Sequence, residues 1–180
     1  MERLDRALSD NLRILAQVLH EICQRNSRQE ACPAPVSRNQ LYILRMLANA
    51  GELPIGEIAR TLDISNAAAS KNIDRLQEWG FVERRSHPQD RRSHDVLLLE
   101  AGRQVAAAYD RILDKKQRAL MGNFTVEEKT VLLDLVRRII RCTLADERNT
   151  DQICRQCGGR CGDDCVVGNV RGNSAPFRTT

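Results

Sequence analysis

Apolar side chains recur along this chain with the three- and four-residue steps of a helix, interrupted by one stretch where the period changes. Leu8, Leu12, Leu15, Leu19 and Ile22 form a stripe over residues 4–22, which predicts an amphipathic helix in need of a partner. Residues 24–36, holding Asn26, Ser27, Cys32 and two prolines, read as a loop. Ser37-Arg38-Asn39-Gln40 is a capping-box pattern and opens a helix that runs to a glycine stop at Gly51. Residues 53–62 predict a short helix with Pro54 in its first turn. In the next helix Ile64, Ala69, Ile73 and Leu76 share one face, while Ala67, Ser70, Lys71, Asp74 and Arg75 share the other. Ser65 is its natural N-cap and Gly80 its stop.

Beyond Gly80 the helical period lapses into two short extended runs separated by a turn-rich segment carrying Pro88, Asp90 and Ser93. Helical spacing then resumes over 101–121, with Val105, Ala108, Tyr109, Ile112, Leu113 and Leu120 on one side. A second capping box, Thr125 with Glu128, opens a last helix bearing Val131, Leu132, Leu135, Val136, Ile139 and Leu144. The expected fold is mainly α with a small β wing: a winged helix-turn-helix over about 37–100, flanked by N- and C-terminal dimerisation helices, with residues 1–148 as one domain and 149–180 as a cysteine-rich tail. The terminal helices carry more apolar surface than one small winged domain needs, and a homodimer would bury it.

Charge placement indicates what the polar helix face meets. Arg84, Arg85, Arg91 and Arg92 cluster around the hairpin, whereas the outward helix face begins with small or singly basic side chains. A B-DNA major groove admits one helix, and small residues at its leading turns let the backbone approach base edges. Arginine at a hairpin tip suits the narrow minor groove alongside, where negative potential is focused. Formal net charge is only +4, so affinity for nucleic acid must come from local clustering. Aromatics make up 3% of the chain, too few for stacking platforms, and duplex DNA is therefore the better target than single strands or RNA.

No window reaches the roughly 18 apolar residues of a membrane span. The N-terminal stretch carries charge throughout and lacks an apolar secretion core, so the expectation is a cytoplasmic protein without a membrane partner.

The run GELPIGEIARTLDISNAAASKNIDRLQEWGFVERRSHPQDRRSHDVLLLEAG contains Glu57-Ile58-Ala59, Asp74-Arg75-Leu76, Gly80-Phe81-Val82, Arg84, the segment His87-Pro88-Gln89-Asp90-Arg91-Arg92, and Gly102. In order and spacing it resembles the MarR-type winged-helix transcriptional regulators, over about residues 8–145. The resemblance implies major-groove contacts from Asn66, Ala67, Ser70 and Lys71, beside the N-cap Ser65, and a phosphate contact from Arg75. It also implies a wing in which Arg92 enters the minor groove, oriented by Asp90 and next to Arg91. A carboxylate that accepts from a guanidinium limits the swing of a long side chain. Two positions depart from the family pattern: Pro54 stands where a capping hydroxyl is usual, and Ala68 where threonine is common. The resemblance further implies a homodimer on double-stranded DNA, usually repressing, released by a small-molecule or redox effector that favours one dimer geometry over another.

The resemblance does not reach Cys154, Cys157, Cys161 and Cys165, four of the chain's seven cysteines within twelve residues. In a reducing compartment such a cluster points to metal binding rather than to structural disulfides. The spacing C-x2-C-x3-C-x3-C differs by one residue from a bacterial ferredoxin run, and the two separated knuckles of a zinc ribbon are absent. An iron–sulfur cluster of the 4Fe–4S type is favoured, with zinc as the alternative. Cys23 and Cys142 are expected as small core residues, Cys32 as a reactive loop thiol, His20 on a helix surface, and His87 and His94 beside the wing.

These features support a DNA-binding regulator whose cysteine-bound centre senses redox state, oxygen or iron. A ligand-responsive regulator with structural zinc, and a metal carrier or redox protein on a borrowed fold, are the alternatives. An enzyme is not expected, because the chain contains no nucleophile–base constellation and no phosphate-binding glycine loop.

Overall fold

In the computed structural model, which describes residues 2–87, 90–144, 153 and 165–170, the predicted amphipathic stripe forms α1 (Glu2–Val18). It does not end where a loop was expected. The chain continues through a π-helical segment (Leu19–Arg25) into α2 (Asn26–Ala31), so the loop is confined to 32–37. Asn26 and Ser27 are accommodated because α2 packs on a later helix and buries Ser27 completely. The break comes at Cys32, whose extended backbone (φ −149°, ψ 130°) is what the following Pro33 demands.

Ser37 then opens α3 (Arg38–Ala50): its hydroxyl accepts the Gln40 N–H at 3.2 Å, and Gln40 Oε1 accepts the Ser37 N–H at 2.8 Å. Gly51 ends the helix with φ +83° and donates to Leu47 O, a conformation that glycine adopts without Cβ strain.

The predicted helix over 53–62 is shorter than expected. Its first residues instead form β1 (Glu52–Pro54), and α4 spans Ile55–Leu62. β1 pairs antiparallel with β3 (Asp90–Leu98), Leu53 opposite Val96, in a sheet ordered β1-β3-β2, with β2 spanning Val82–His87. Three residues are too few to display an alternating pattern, and Pro54 fits because β1 lies at the sheet edge. Asp90 and Ser93, expected in a turn-rich segment, belong to β3, while Pro88 lies outside the described residues.

A long helix, α6 (Glu100–Met121), returns across the core, and Thr125 and Glu128 close the second capping box at the start of α7 (Val126–Leu144). A short helix, α8 (Val166–Val170), packs on α7. Among the described residues no helix is long and apolar enough to cross a membrane.

The core lies under the sheet and between α3, α4, α5 (Asn66–Glu78) and α6. Ile43, Leu44, Leu47, Ile58, Ile73, Leu76, Val82 and Val96 are fully buried in it. Each such side chain contributes about 1.5–3 kcal/mol of apolar burial. Tyr109 of α6 is buried beneath the Arg45 guanidinium, 5.3 Å from the ring centroid, and burial pushes its phenol above the ordinary range while Arg45 opposes the shift. Arg45 pairs with Asp110 at 3.0 Å, and Lys116 pairs with Glu30, so ion pairs tie both α3 and α2 to α6.

The terminal helices present the opposite picture. Val126 is 72% exposed and Leu4 66%, and Leu8, Leu12, Ile14, Leu15, Val131, Leu133, Leu135 and Ile139 are likewise exposed. Leu120, expected on the packed side of α6, is exposed too, whereas Val105 and Tyr109 are buried and Ile112 and Leu113 half-buried.

At Gly102, a Cβ would lie 2.3 Å from the Phe81 carbonyl oxygen, which also accepts the Leu99 N–H at 3.0 Å. Alanine ordinarily stabilises a helix by about 1 kcal/mol relative to glycine. Here the sign reverses: Gly102→Ala is expected to destabilise by about 1–3 kcal/mol, read as a lowered thermal unfolding midpoint. A midpoint at or above that of the parent protein would contradict this packing.

Candidate nucleic-acid interface

The interface is built from the turn between α4 and α5. Asp63 takes the left-handed conformation (φ 53°, ψ 49°), and the Ile64 N–H reaches back to Ala59 O at 3.0 Å, so α4 stops abruptly. Two residues later the Ser65 hydroxyl accepts the Ala68 N–H at 3.1 Å and starts α5. Ala69, Ile73 and Leu76 are completely buried, as their spacing predicts. With those three pinned, Asn66, Ala67, Lys71, Asp74 and Arg75 are exposed and Ser70 is half-buried. Arg75 is held loosely by Glu78 one turn on, at 3.4 Å.

At its far end α5 is closed by Gly80 (φ +70°), with the Phe81 N–H donating to Leu76 O and the Gly80 N–H to Gln77 O. This terminator aims the chain directly into β2. In β2, Val82 pairs with Leu98 and Arg84 with Val96, which places all four residues on the inward face of the sheet. Arg84 therefore does not join a basic tip. Its Nη2 lies 2.7 Å from Asp74 Oδ1 and donates to the Ser70 carbonyl at 3.1 Å, both on α5. Arg85, on the outer face, pairs with Glu83 at 3.0 Å. Spacing alone grouped these two arginines with Arg91 and Arg92, and strand pairing separates them. The signal that could have identified Arg84 is the alternation of Val82 and Arg84, which puts a guanidinium where an apolar residue would sit and so requires a partner.

Asp90, Arg91 and Arg92 occupy the beginning of β3, antiparallel to the end of β2. Their side chains, with that of His87, lie outside the described residues, while His94 is exposed. α5 and the wing strands thus meet on one side of the core. This is a helix-turn-helix followed by a two-stranded wing, the geometry of a major-groove reader with an arm for the adjoining groove.

Residues 34–93, which cover the turn, α5, β2 and the start of β3, match the MarR family model. Over those residues the chain is similar to MarR-type and HTH-type transcriptional regulators, and its fold is a winged helix-turn-helix. An HTH-type transcriptional regulator of Bacillus subtilis, YdgJ, is 27% identical over 110 residues, spanning 61% of this chain and 66% of YdgJ, just under two thirds. The B. subtilis HTH-type transcriptional repressor MdtR is 24% identical over 152 residues, 82% of this chain and 95% of MdtR. Among solved structures, the YusO protein of B. subtilis superposes with a TM-score of 0.69 at 20% identity over 78% of this chain and 97% of YusO, a likeness of fold. The likeness of fold therefore extends well beyond the matched residues.

The cysteines divide differently from expectation. Cys32 is 4% exposed and part of the core, not a reactive loop thiol, because α2 extends almost to it and Val36 packs nearby in the same cluster. Cys142 is exposed on α7, not a core residue, since nothing among the described residues covers it. Cys23 is half-buried in the π-helical segment, and His20 there is also half-buried, 3.3 Å from Gln24 Oε1. Of the tail, Cys154, Cys157 and Cys161 lie outside the described residues. Cys165 is half-buried immediately before α8, and its Sγ accepts the Gly168 N–H at 3.4 Å. Among the described residues no group of three or more His, Cys, Asp or Glu side chains could hold a metal ion.

Removing the Ser65 cap is expected to cost about 1 kcal/mol. Denaturant titration of Ser65→Ala and Ser65→Asp checks this: the alanine variant should lose stability and the aspartate variant, which can still cap, should retain it. Equal loss in both would mean that the hydroxyl is not the cap.

Proposed function

We propose that this chain is a cytoplasmic transcriptional regulator, acting as a repressor, that binds a pseudo-palindromic duplex site as a homodimer. The observation that carries the reading is α5, capped at Ser65, pinned by Ala69, Ile73 and Leu76, and offering Asn66, Ala67, Ser70 and Lys71 beside a wing. In this reading those residues enter the major groove, Arg75 meets a phosphate, and Arg92, oriented by Asp90 and next to Arg91, enters the minor groove. The repressor MdtR, similar along most of both chains, supports the direction of control. The apolar residues left exposed on α1 and α7 support the second copy, because two such faces bury each other and hold two reading helices about 34 Å apart.

Lys71→Ala combined with Arg92→Ala is expected to remove specific binding to a duplex that the parent protein selects from random sequence. In the parent, the logarithm of affinity should fall steeply with the logarithm of salt concentration. Unchanged binding by the double variant, measured by fluorescence anisotropy, would sink this reading. Ser65→Asp, which keeps the cap, should weaken binding through repulsion from the phosphates.

The tail is proposed to hold an iron–sulfur cluster of the 4Fe–4S type on Cys154, Cys157, Cys161 and Cys165, which senses redox state, oxygen or iron. Four thiolates are the donor set such a cluster needs, and a backbone N–H directed at Cys165 Sγ is the kind of hydrogen bond that tunes a ligating sulfur. When bound, the cluster supplies a redox couple and a site that oxygen can attack. Protein purified without oxygen is expected to be brown, with iron and sulfide in matching amounts, and Cys157→Ser should lose the colour while keeping its helical signal. Stoichiometric zinc and no visible absorption would reject the cluster.

A further inference from the structure

We propose that Arg84 is a positioning residue that fixes the angle between the wing and the reading helix, so that the two grooves are read by one rigid unit. The inference rests on the DNA-binding reading above. Arg84 stands in the third position of β2, opposite Val96, and its side chain is 27% exposed. Its guanidinium spans one turn of α5, at 2.7 Å from Asp74 Oδ1 and 3.1 Å from the Ser70 carbonyl oxygen. Ser70 and Asp74 precede Lys71 and Arg75 by one residue each, so the anchor grips the helix immediately beside the exposed side chains.

Geometry separates this role from a phosphate contact. The Nη2 of Arg84 is committed to a carboxylate and a carbonyl on its own chain and its Nε is buried, so the guanidinium is turned toward α5. The ion pair also neutralises Asp74, an exposed carboxylate on the face that would meet a polyanion. Both acceptors, one helical turn apart, are held by the same Nη2, at the end of a planar group that a shorter-reaching lysine ammonium replaces only in part. Turning the wing relative to α5 displaces the β3 residues Asp90, Arg91 and Arg92 from the groove beside the one α5 occupies, and the damage appears in discrimination between sequences before it appears in overall attraction.

The test compares the parent protein with Arg84→Gln, Arg84→Lys and Asp74→Asn. Each is titrated across a range of salt concentrations against the duplex the parent selects and against an unrelated duplex of equal length. The expected result is that Arg84→Gln loses tenfold or more of the affinity ratio between the two duplexes, while its salt slope on the unrelated duplex stays unchanged. Arg84→Lys should recover part of the ratio. Asp74→Asn removes a negative charge and by charge alone would tighten binding, yet it too should lose discrimination. A salt slope shallower by about 0.9, the amount that one neutralised phosphate contributes, would make Arg84 a direct phosphate ligand. An unchanged ratio in both Arg84→Gln and Asp74→Asn would make the pair irrelevant to reading; either outcome overturns the proposal. Should Arg84→Gln fail to fold, Asp74→Asn carries the comparison, because its carboxylate is exposed. A double-mutant cycle of Asp74→Asn and Arg84→Gln on thermal stability tests the tether without DNA: non-additive effects support it and additive effects overturn it. Failure of the parent to select any duplex would count against the DNA-binding reading itself, and the cycle would still decide the tether.

Discussion

The rotational setting of α5 is the constraint on which the reading face depends. Ala69, Ile73 and Leu76 are completely buried against the core, and a helix so pinned cannot roll without pulling apolar surface into water or forcing Asp74 and Arg75 inward. The remaining exposed residues are then determined by the period of the helix alone. The left-handed turn at Asp63 and the cap at Ser65 set where that helix begins, and Gly80 sets where it ends. Rotation and span together decide which side chains stand ready to meet a partner.

The wing is attached to this helix at two levels. Covalently, the Gly80 terminator leads straight into β2, where Val82 and Leu98 continue the core. Electrostatically, Arg84 reaches back to Asp74 and Ser70. The Phe81 carbonyl, taken by the Leu99 N–H and closely overlaid by Gly102, brings the start of α6 to the same point. Helix, wing and the long returning helix thus converge near Phe81, and displacement of α6 would be felt at the base of the wing.

The outer helices obey a different balance. α1 carries Leu4, Leu8, Leu12 and Leu15 exposed, and α7 shows Val131, Leu133, Leu135 and Ile139. Both helices thus leave apolar residues uncovered within the described chain. α8, which follows Cys165, packs on α7, one of the helices with exposed apolar residues.

Much of this organisation was legible from local pattern, because caps, stops and helical stripes are short-range signals. The two capping boxes, the Ser65 cap, the Gly51 and Gly80 stops and the buried face of α5 all follow from residues within a few positions of one another. What local pattern missed depended on distant partners. β1 exists only because β3 lies beside Leu53, and 26–31 stay helical where α6 covers Ser27. Cys32 enters the core because the chain turns there. Arg84 looked like one more member of a basic cluster until strand pairing turned it toward α5. By itself the sequence determined which residues prefer a helix, where each helix is capped and which face is apolar, since these are set by backbone chemistry and side-chain period. Only the tertiary structure decided which charges are committed internally and which stay exposed, because a carboxylate or guanidinium finds its partner across elements that sequence spacing does not bring together.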